Sequence, residues 1–258
     1  MSELSNYIMS SPQGRTYLFA IGQAGYIIKS TSGQLLAIDL YLSDCVERDE
    51  GHIGFKRMLP KLLKPQDLIL DVVIATHPHL DHFDMDAIPE LMSNGYTKLF
   101  CSVDCDKLVQ RTELEYFNKN ITYVKPGDNH AVGDFTIHFV NCDHGTGAPD
   151  AVGVIVEVDG KRIFEAGDTC LRLDRVDEIR QFGEIDVMIA PINGAYGNLN
   201  EEDCTKLSAA VKPGITIPCH YGMFASHGGL VGKFYNIMKE NYPDQKFTIL
   251  TQGERFEL

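Results

Sequence analysis

No apolar run in the chain approaches the ~20 residues needed to cross a bilayer as a helix, so a membrane-spanning role is not expected. The first residues, Met1-Ser2-Glu3-Leu4-Ser5, have neither the basic start nor the apolar stretch of an export signal, and that absence predicts a cytoplasmic protein. The seven cysteines (Cys45, Cys101, Cys105, Cys142, Cys170, Cys204 and Cys219) are scattered, odd in number and without a C-x-x-C pair. A disulfide framework is therefore not expected, and most should be small buried residues. A Lys/Arg-rich arm is missing too, and the net charge of −13 sets the surface against nucleic acid or an anionic membrane, whose phosphates are gripped mainly by Lys and Arg. G-x-S-x-G does not occur, so no serine nucleophile is invoked. Internal repeats, low-complexity tracts and linkers are likewise lacking, which predicts a single domain over residues 1–258.

What is present is an ordinary globular composition, 44% hydrophobic and 23% charged, with enough chain for one large core. Within it stands Thr76-His77-Pro78-His79-Leu80-Asp81-His82, just after the β-branched run Val72-Val73-Ile74. That run reads as a buried strand. In extended backbone, side chains two apart point the same way, so His77 and His79 can hold one ion together. A turn would then re-aim Asp81 and His82 toward a second ion. Zinc and manganese both accept this mixture of nitrogen and oxygen. Cys142, Cys170 and Cys219 each lie within two residues of a candidate ligand, but none takes a ligand position.

Along the rest of the chain, 17–21, 26–29 and 35–39 read as short strands, punctuated by Gly22, Gly25 and Thr31-Ser32-Gly33. Asp39 ends its strand, where it either caps a turn or supports the metal ligands. The composition of 45–60 predicts an irregular loop holding His52, solvated unless the loop overhangs a site. Asp84 is placed to cap a helix over 85–93, which Asn94-Gly95 stops. A strand over 98–101 and a helix over 102–112 follow, then a strand over 121–124 and a turn that includes His130. The alternation of 136–140 makes a strand in which His138 is structural. It ends at Asn141-Cys142-Asp143-His144, and His144 would complete a facial set of three nitrogens with His77 and His79.

Strands 152–158 and 161–165 flank Asp159-Gly160, a two-residue hairpin signal. The second arm ends in Ala166-Gly167-Asp168, where Asp168 either caps a helix or bridges two metals and Gly167 allows close backbone approach. A helix over 171–182, a buried strand over 185–190, a helix over 201–211 capped by Asn200, and a strand over 215–217 come next. That strand runs into His220. His227 sits in a glycine-rich loop, either exposed or facing the pocket. A helix over 230–240 and a strand over 246–250 close the chain.

Collected, the strand-end residues are His77, His79, Asp81, His82, His144, Asp168 and His220. Their order and spacing resemble the metallo-β-lactamase superfamily of metal-dependent hydrolases, with its H-x-H-x-D-H motif and later His, Asp and His. The resemblance implies an α/β fold, a four-layer αββα sandwich with two divalent ions, Mn2+ or Zn2+, at one rim. His77, His79 and His144 would hold the first ion, Asp81, His82 and His220 the second, and Asp168 would bridge them, with Asp81 and Asp168 as the catalytic carboxylates. More narrowly, Ile21-Gly22-Gln23-Ala24-Gly25, Lys125-Pro126-Gly127-Asp128, Tyr196-Gly197 and Ile217-Pro218-Cys219-His220 resemble the L-ascorbate-6-phosphate lactonase family. That likeness implies a lactonase of sugar-acid metabolism, with a phosphorylated sugar lactone as substrate, and it allows a homo-oligomer. Such an ion pair, held by two aspartates and a hydroxide, keeps about one positive charge and can draw a small anion into an acidic protein. Tyr196 and Tyr221 are candidate hydrogen-bond donors or simply packed rings. The other functions open to this ligand set are a phosphodiesterase or RNA-processing nuclease, and a non-catalytic metal-stabilised sensor.

Overall fold

Along β1 (Tyr17–Gly22) the side chains alternate, yet both faces are buried: Tyr17, Phe19 and Ile21 join one apolar cluster, Leu18 and Ala20 another. A strand covered on both sides must lie between two layers. In the computed structural model, which describes residues 1–258 save the side chains of Glu113 and Glu115, those layers are a second sheet on one side and helices on the other.

The first sheet continues with β2 (Gly25–Lys29), β3 (Leu35–Ile38), β4 (Val72–Ala75), β5 (Lys98–Ser102) and β6 (Ile121–Val124). The second is built from β7 (Asn129–Val132), β8 (Phe135–Asn141), β9 (Val152–Val158), β10 (Lys161–Glu165), β11 (Val187–Pro191) and β12 (Ile215–Cys219), and β13 (Arg255–Glu257) returns to pair with β1. Leu18, Ile28, Leu36 and Ile74 of the first sheet meet Ile137, Val154, Ile163 and Ile189 of the second in the central core. Over the outer face of the first sheet lie α1 (Glu3–Ser10), α3 (Ala87–Met92) and α4 (Asp106–Arg111); α2 (Cys45–Glu50) packs at the rim. Over the second lie α5 (Val176–Arg180), α6 (Glu201–Val211) and α7 (Val231–Asn241). The order is helix, sheet, sheet, helix, as expected.

Topology decides where the site forms. Strands β3 to β6 run parallel, and so do β10 to β12. Parallel neighbours end at the same edge of their sheet. The residues just past β3, β4, β10, β11 and β12 therefore emerge along one rim, and these are Asp39, His77, Asp168, Asn193 and His220.

Some local expectations fail. The segment 45–60 is not all loop: Cys45 and Val46 are buried and start α2. The N-terminal helix α1, unexpected from sequence, is capped by Ser2 and held by the buried Lys29 amine, which donates to the carbonyls of Ile8, Met9 and Ser11 at 2.8–2.9 Å. A cation on those terminal carbonyls also suits the helix dipole. Within 171–182 only Val176–Arg180 is α-helical, after a single 3-10 turn. His130 lies in β7 rather than a turn. The stretch 246–250 makes one bridge, Thr216 to Phe247, instead of a strand, and the strand forms later as β13. Asp84 does cap the helix start, accepting from the N–H groups of Asp86 and Ala87, and its other oxygen holds Leu42 and Ser43.

Candidate metal centre

All of β4 is buried and it is parallel to both neighbours, so the chain leaves the sheet at Thr76 in a fixed direction. The carbonyl of His79 accepts from the N–H groups of His82 (2.9 Å) and Phe83 (2.7 Å), closing a turn that carries Asp81 and His82 round to the same side. His144 arrives from the end of β8. The structure brings the seven strand-end residues together as two sets: His77, His79, His144 and Asp168, then Asp81, His82 and His220.

In the first set, His77 Nε2 and His144 Nε2 each stand 3.0 Å from His79 Nδ1. Nitrogens sharing an ion with bonds of about 2.1 Å lie about 3.0–3.4 Å apart. The spacing fits a common cation. In the second set, His82 Nε2 and His220 Nε2 are 3.3 Å apart, and Asp81 Oδ2 is 3.7 and 3.6 Å from them. Asp168 lies between the sets: Oδ2 is 4.0 Å from His144 and 3.5 Å from His82, and Oδ1 is 3.1 Å from His220. Oδ1 is buried and finds no hydrogen bond among the described residues. A buried carboxylate oxygen left so is what a cation would satisfy.

Other groups orient these ligands. Asp39, fully buried, accepts from Thr76 N–H (2.8 Å), Thr76 Oγ1 (2.6 Å) and His82 Nδ1 (2.7 Å). That puts the His82 proton on Nδ1 and leaves Nε2 for an ion. Having given its own proton to Asp39, Thr76 Oγ1 accepts from His77 Nδ1 at 3.0 Å, with the same result for His77. Gly167 has φ +67°, and a Cβ there would lie 2.9 Å from the Val152 carbonyl, so only glycine lets the backbone pass before Asp168.

The charges are mutually adjusted. Burial opposes charge on His82, but Asp168, Asp39 and Asp81 outweigh it and hold its pKa well above the usual imidazole value. Burial also opposes the Asp168 carboxylate, and His220 and His82 outweigh that, keeping it well below the usual range. His77 and His79 are lowered by burial and then by His82, and burial brings His144 down to about 4. Neutral imidazoles at His77, His79 and His144 and an ionised Asp168 are the forms that bind metal, whereas His82 would have to release its Nε2 proton to do so.

The centre opens into a cavity of about 540 Å³, a size suited to a small molecule. Tyr196, His52 and His227 line it, whereas Tyr221 does not: its hydroxyl donates to the Leu250 carbonyl at 2.6 Å, a packing role. His138 stacks on Phe182, away from the site. Three contributors carry no sequence signal of their own. Gln23 donates from Nε2 to Asp81 Oδ2 at 2.8 Å and lies 2.9 Å from His220 Nδ1. Glu165 is buried beside the centre, where burial and the charge of Asp39 push its pKa well up. Phe55 reaches the cavity from the 51–55 loop. Backbone strain marks the same region: Gln23, Asp39, Tyr196, His220 and His227 have positive φ, five of the seven non-glycine residues that do among the described residues. Such strain gathers at functional sites.

Residues 40–221 match a family described as the Beta-lactamase superfamily domain. The chain is 27% identical over 205 residues to a UPF0173 metal-dependent hydrolase of Archaeoglobus fulgidus, covering 76% of this chain and 85% of that one. It is 26% identical over 262 residues to a UPF0173 metal-dependent hydrolase of Polynucleobacter asymbioticus, covering 94% and 86%. Among solved structures it is similar to Igni18, a metallo hydrolase from Ignicoccus hospitalis, with a TM-score of 0.71, 20% identity and coverage of 94% and 98%. With the αββα layers and the rim of histidines and aspartates, these likenesses make the chain a member of the metallo-β-lactamase superfamily of metal-dependent hydrolases.

Proposed function

We propose that this hydrolase cleaves the acyl–oxygen bond of an ester or lactone after water attacks its carbonyl carbon, with two divalent ions, zinc or manganese, held by the seven residues of the rim. The observation that carries this is Asp168 standing between two nitrogen sets at the floor of an open cavity. When bound, such ions lower the pKa of water from 15.7 to about 7 and polarise a carbonyl. His77, His79 and His144 would hold one ion; Asp81, fixed by Gln23, would hold the other with His82 and His220. Asp168, kept ionised by its histidines, can take the proton of the attacking water and return it to the leaving oxygen.

The lactonase likeness suggests a phosphorylated sugar lactone such as L-ascorbate 6-phosphate, and its lactone part suits this chemistry. Its phosphate is less well served. Among the described residues neither Lys nor Arg lines the cavity, so beside the ions the phosphate would meet only His52, His227 and the neutral donors of Asn193, Asn198 and Tyr196. The same lack weighs against a nuclease. The test is a panel of neutral esters, neutral lactones, phosphorylated lactones and phosphodiesters, offered to zinc- and manganese-loaded protein. Carbonyl substrates should turn over, and His77→Ala with His79→Ala should abolish turnover together with binding of one ion. Full activity in that double variant refutes the mechanism.

A further inference from the structure

Beyond the ligands, three rings stand together along the cavity wall. Phe55 and His227 stack at 4.6 Å with their planes 6° apart, and Tyr196 lies 6.2 Å from Phe55 and 5.5 Å from His227, within 29° of parallel. They come from three loops far apart in the chain, and two of these, at 54–58 and 223–226, are joined by backbone hydrogen bonds. Met58 and Ala225 donate backbone hydrogen bonds to Met223 and Lys56 at 2.7 and 2.9 Å, Arg57 bridges Phe224, and Ser226 N–H reaches the Gly54 carbonyl at 3.2 Å. Ser226 Oγ lies 2.6 Å from His227 Nδ1 and fixes that ring. Phe55 is 9% exposed, its ring also packed on Phe224, but Tyr196 remains 62% exposed despite its stacking partners. A large ring held in strained backbone and left open to a cavity is a surface awaiting a ligand.

The electrostatics are equally selective. The three cations of the adjoining loop are all engaged elsewhere: Arg48 with Asp86, Lys56 with Glu47, and Arg57 on the carbonyls of Ser43 and Leu59. Glu50 lines the same cavity. We propose that the organic part of the substrate is uncharged and flat, an aromatic or conjugated ring laid against Tyr196, Phe55 and His227, and that these residues set specificity. The inference rests on the ester or lactone hydrolase reading above and names its substrate class.

The test uses metal-loaded protein and coumarin, a flat neutral lactone whose binding is followed by equilibrium dialysis and its near-ultraviolet absorbance. Turnover of dihydrocoumarin, δ-valerolactone and a phosphorylated sugar lactone is measured alongside. Coumarin should bind, and Tyr196→Leu and Phe55→Leu should each weaken it about three- to tenfold, the scale of one aromatic contact. Dihydrocoumarin should have the lowest KM of the three substrates, and Tyr196→Leu should narrow its lead over δ-valerolactone. Unchanged coumarin affinity in folded Tyr196→Leu, or a preference for the phosphorylated lactone, overturns the inference. Tyr196 is exposed, so that variant keeps the fold even if Phe55→Leu does not. Ring-dependent coumarin binding without turnover of any lactone would sink the hydrolase reading and leave the ring wall standing; turnover without ring dependence would do the reverse.

Discussion

Asp39→Asn separates the two ions of the proposed pair. The substitution keeps the shape of the side chain, and asparagine tolerates the φ of +48° at least as well as aspartate, so backbone strain is not altered. What changes is the group facing His82. The carboxylate oxygen 2.7 Å from His82 Nδ1 becomes either an amide oxygen, a weaker acceptor, or an NH2 that must donate. The Thr76 N–H can only donate and so keeps the amide oxygen at the Oδ1 position; the NH2 then takes the Oδ2 position facing His82 and drives its proton onto Nε2, the nitrogen meant for the ion. A charge-assisted hydrogen bond contributes about 1.5–3 kcal/mol, and 1.4 kcal/mol is about tenfold in affinity. The second ion should therefore bind about 10–100-fold more weakly, the range found for supporting groups of metal-bound histidines. The first ion should lose less, because Thr76 Oγ1, though it then faces the NH2, has a second lone pair with which to accept from His77. Competition against a chromophoric chelator resolves the two binding steps. Two steps weakened alike, or both within about twofold of the parent, would show that Asp39 does not govern the His82 tautomer.

Thr76→Val is the complementary change: it removes the acceptor for His77 Nδ1 and should weaken the binding step that Asp39→Asn spares more than the step that Asp39→Asn weakens, in the same titration. Gly54→Ala would place a Cβ 2.1 Å from Ser226 Oγ at φ +105°. It should cost about 1–3 kcal/mol by overpacking, read as a lowered Tm, and loosen coumarin binding by displacing His227. Acid should destabilise the metal-free protein. His77, His79 and His144 have folded pKa values below the unfolded value of about 6.5, so the unfolded chain binds more protons as pH falls from there to about 4, and stability falls with it. His82 and Glu165, with their raised values, act oppositely, two groups against three. Chemical denaturation at pH 7 and pH 5 checks the sign, and greater stability at pH 5 contradicts it.

The layers and seven rim residues were legible because their signals are local. Buried β-branched strands announce themselves, and histidine or aspartate at a strand's end stands out against the apolar run before it. The Asp159-Gly160 hairpin, with both residues at positive φ, and the Asn200 cap were equally plain, since turn and cap chemistry lies within four residues. Sequence alone left Asp39 with two roles and His227 with two; each became single only once β3 lay beside β4 and the loop at 226 met the loop at 54. Gln23 was silent because its partners, Asp81 and His220, are 58 and 197 residues away. Which proton sits on which nitrogen, and which rings face the cavity, depend on contacts between distant loops, and no local pattern of residues encodes a distance across the fold.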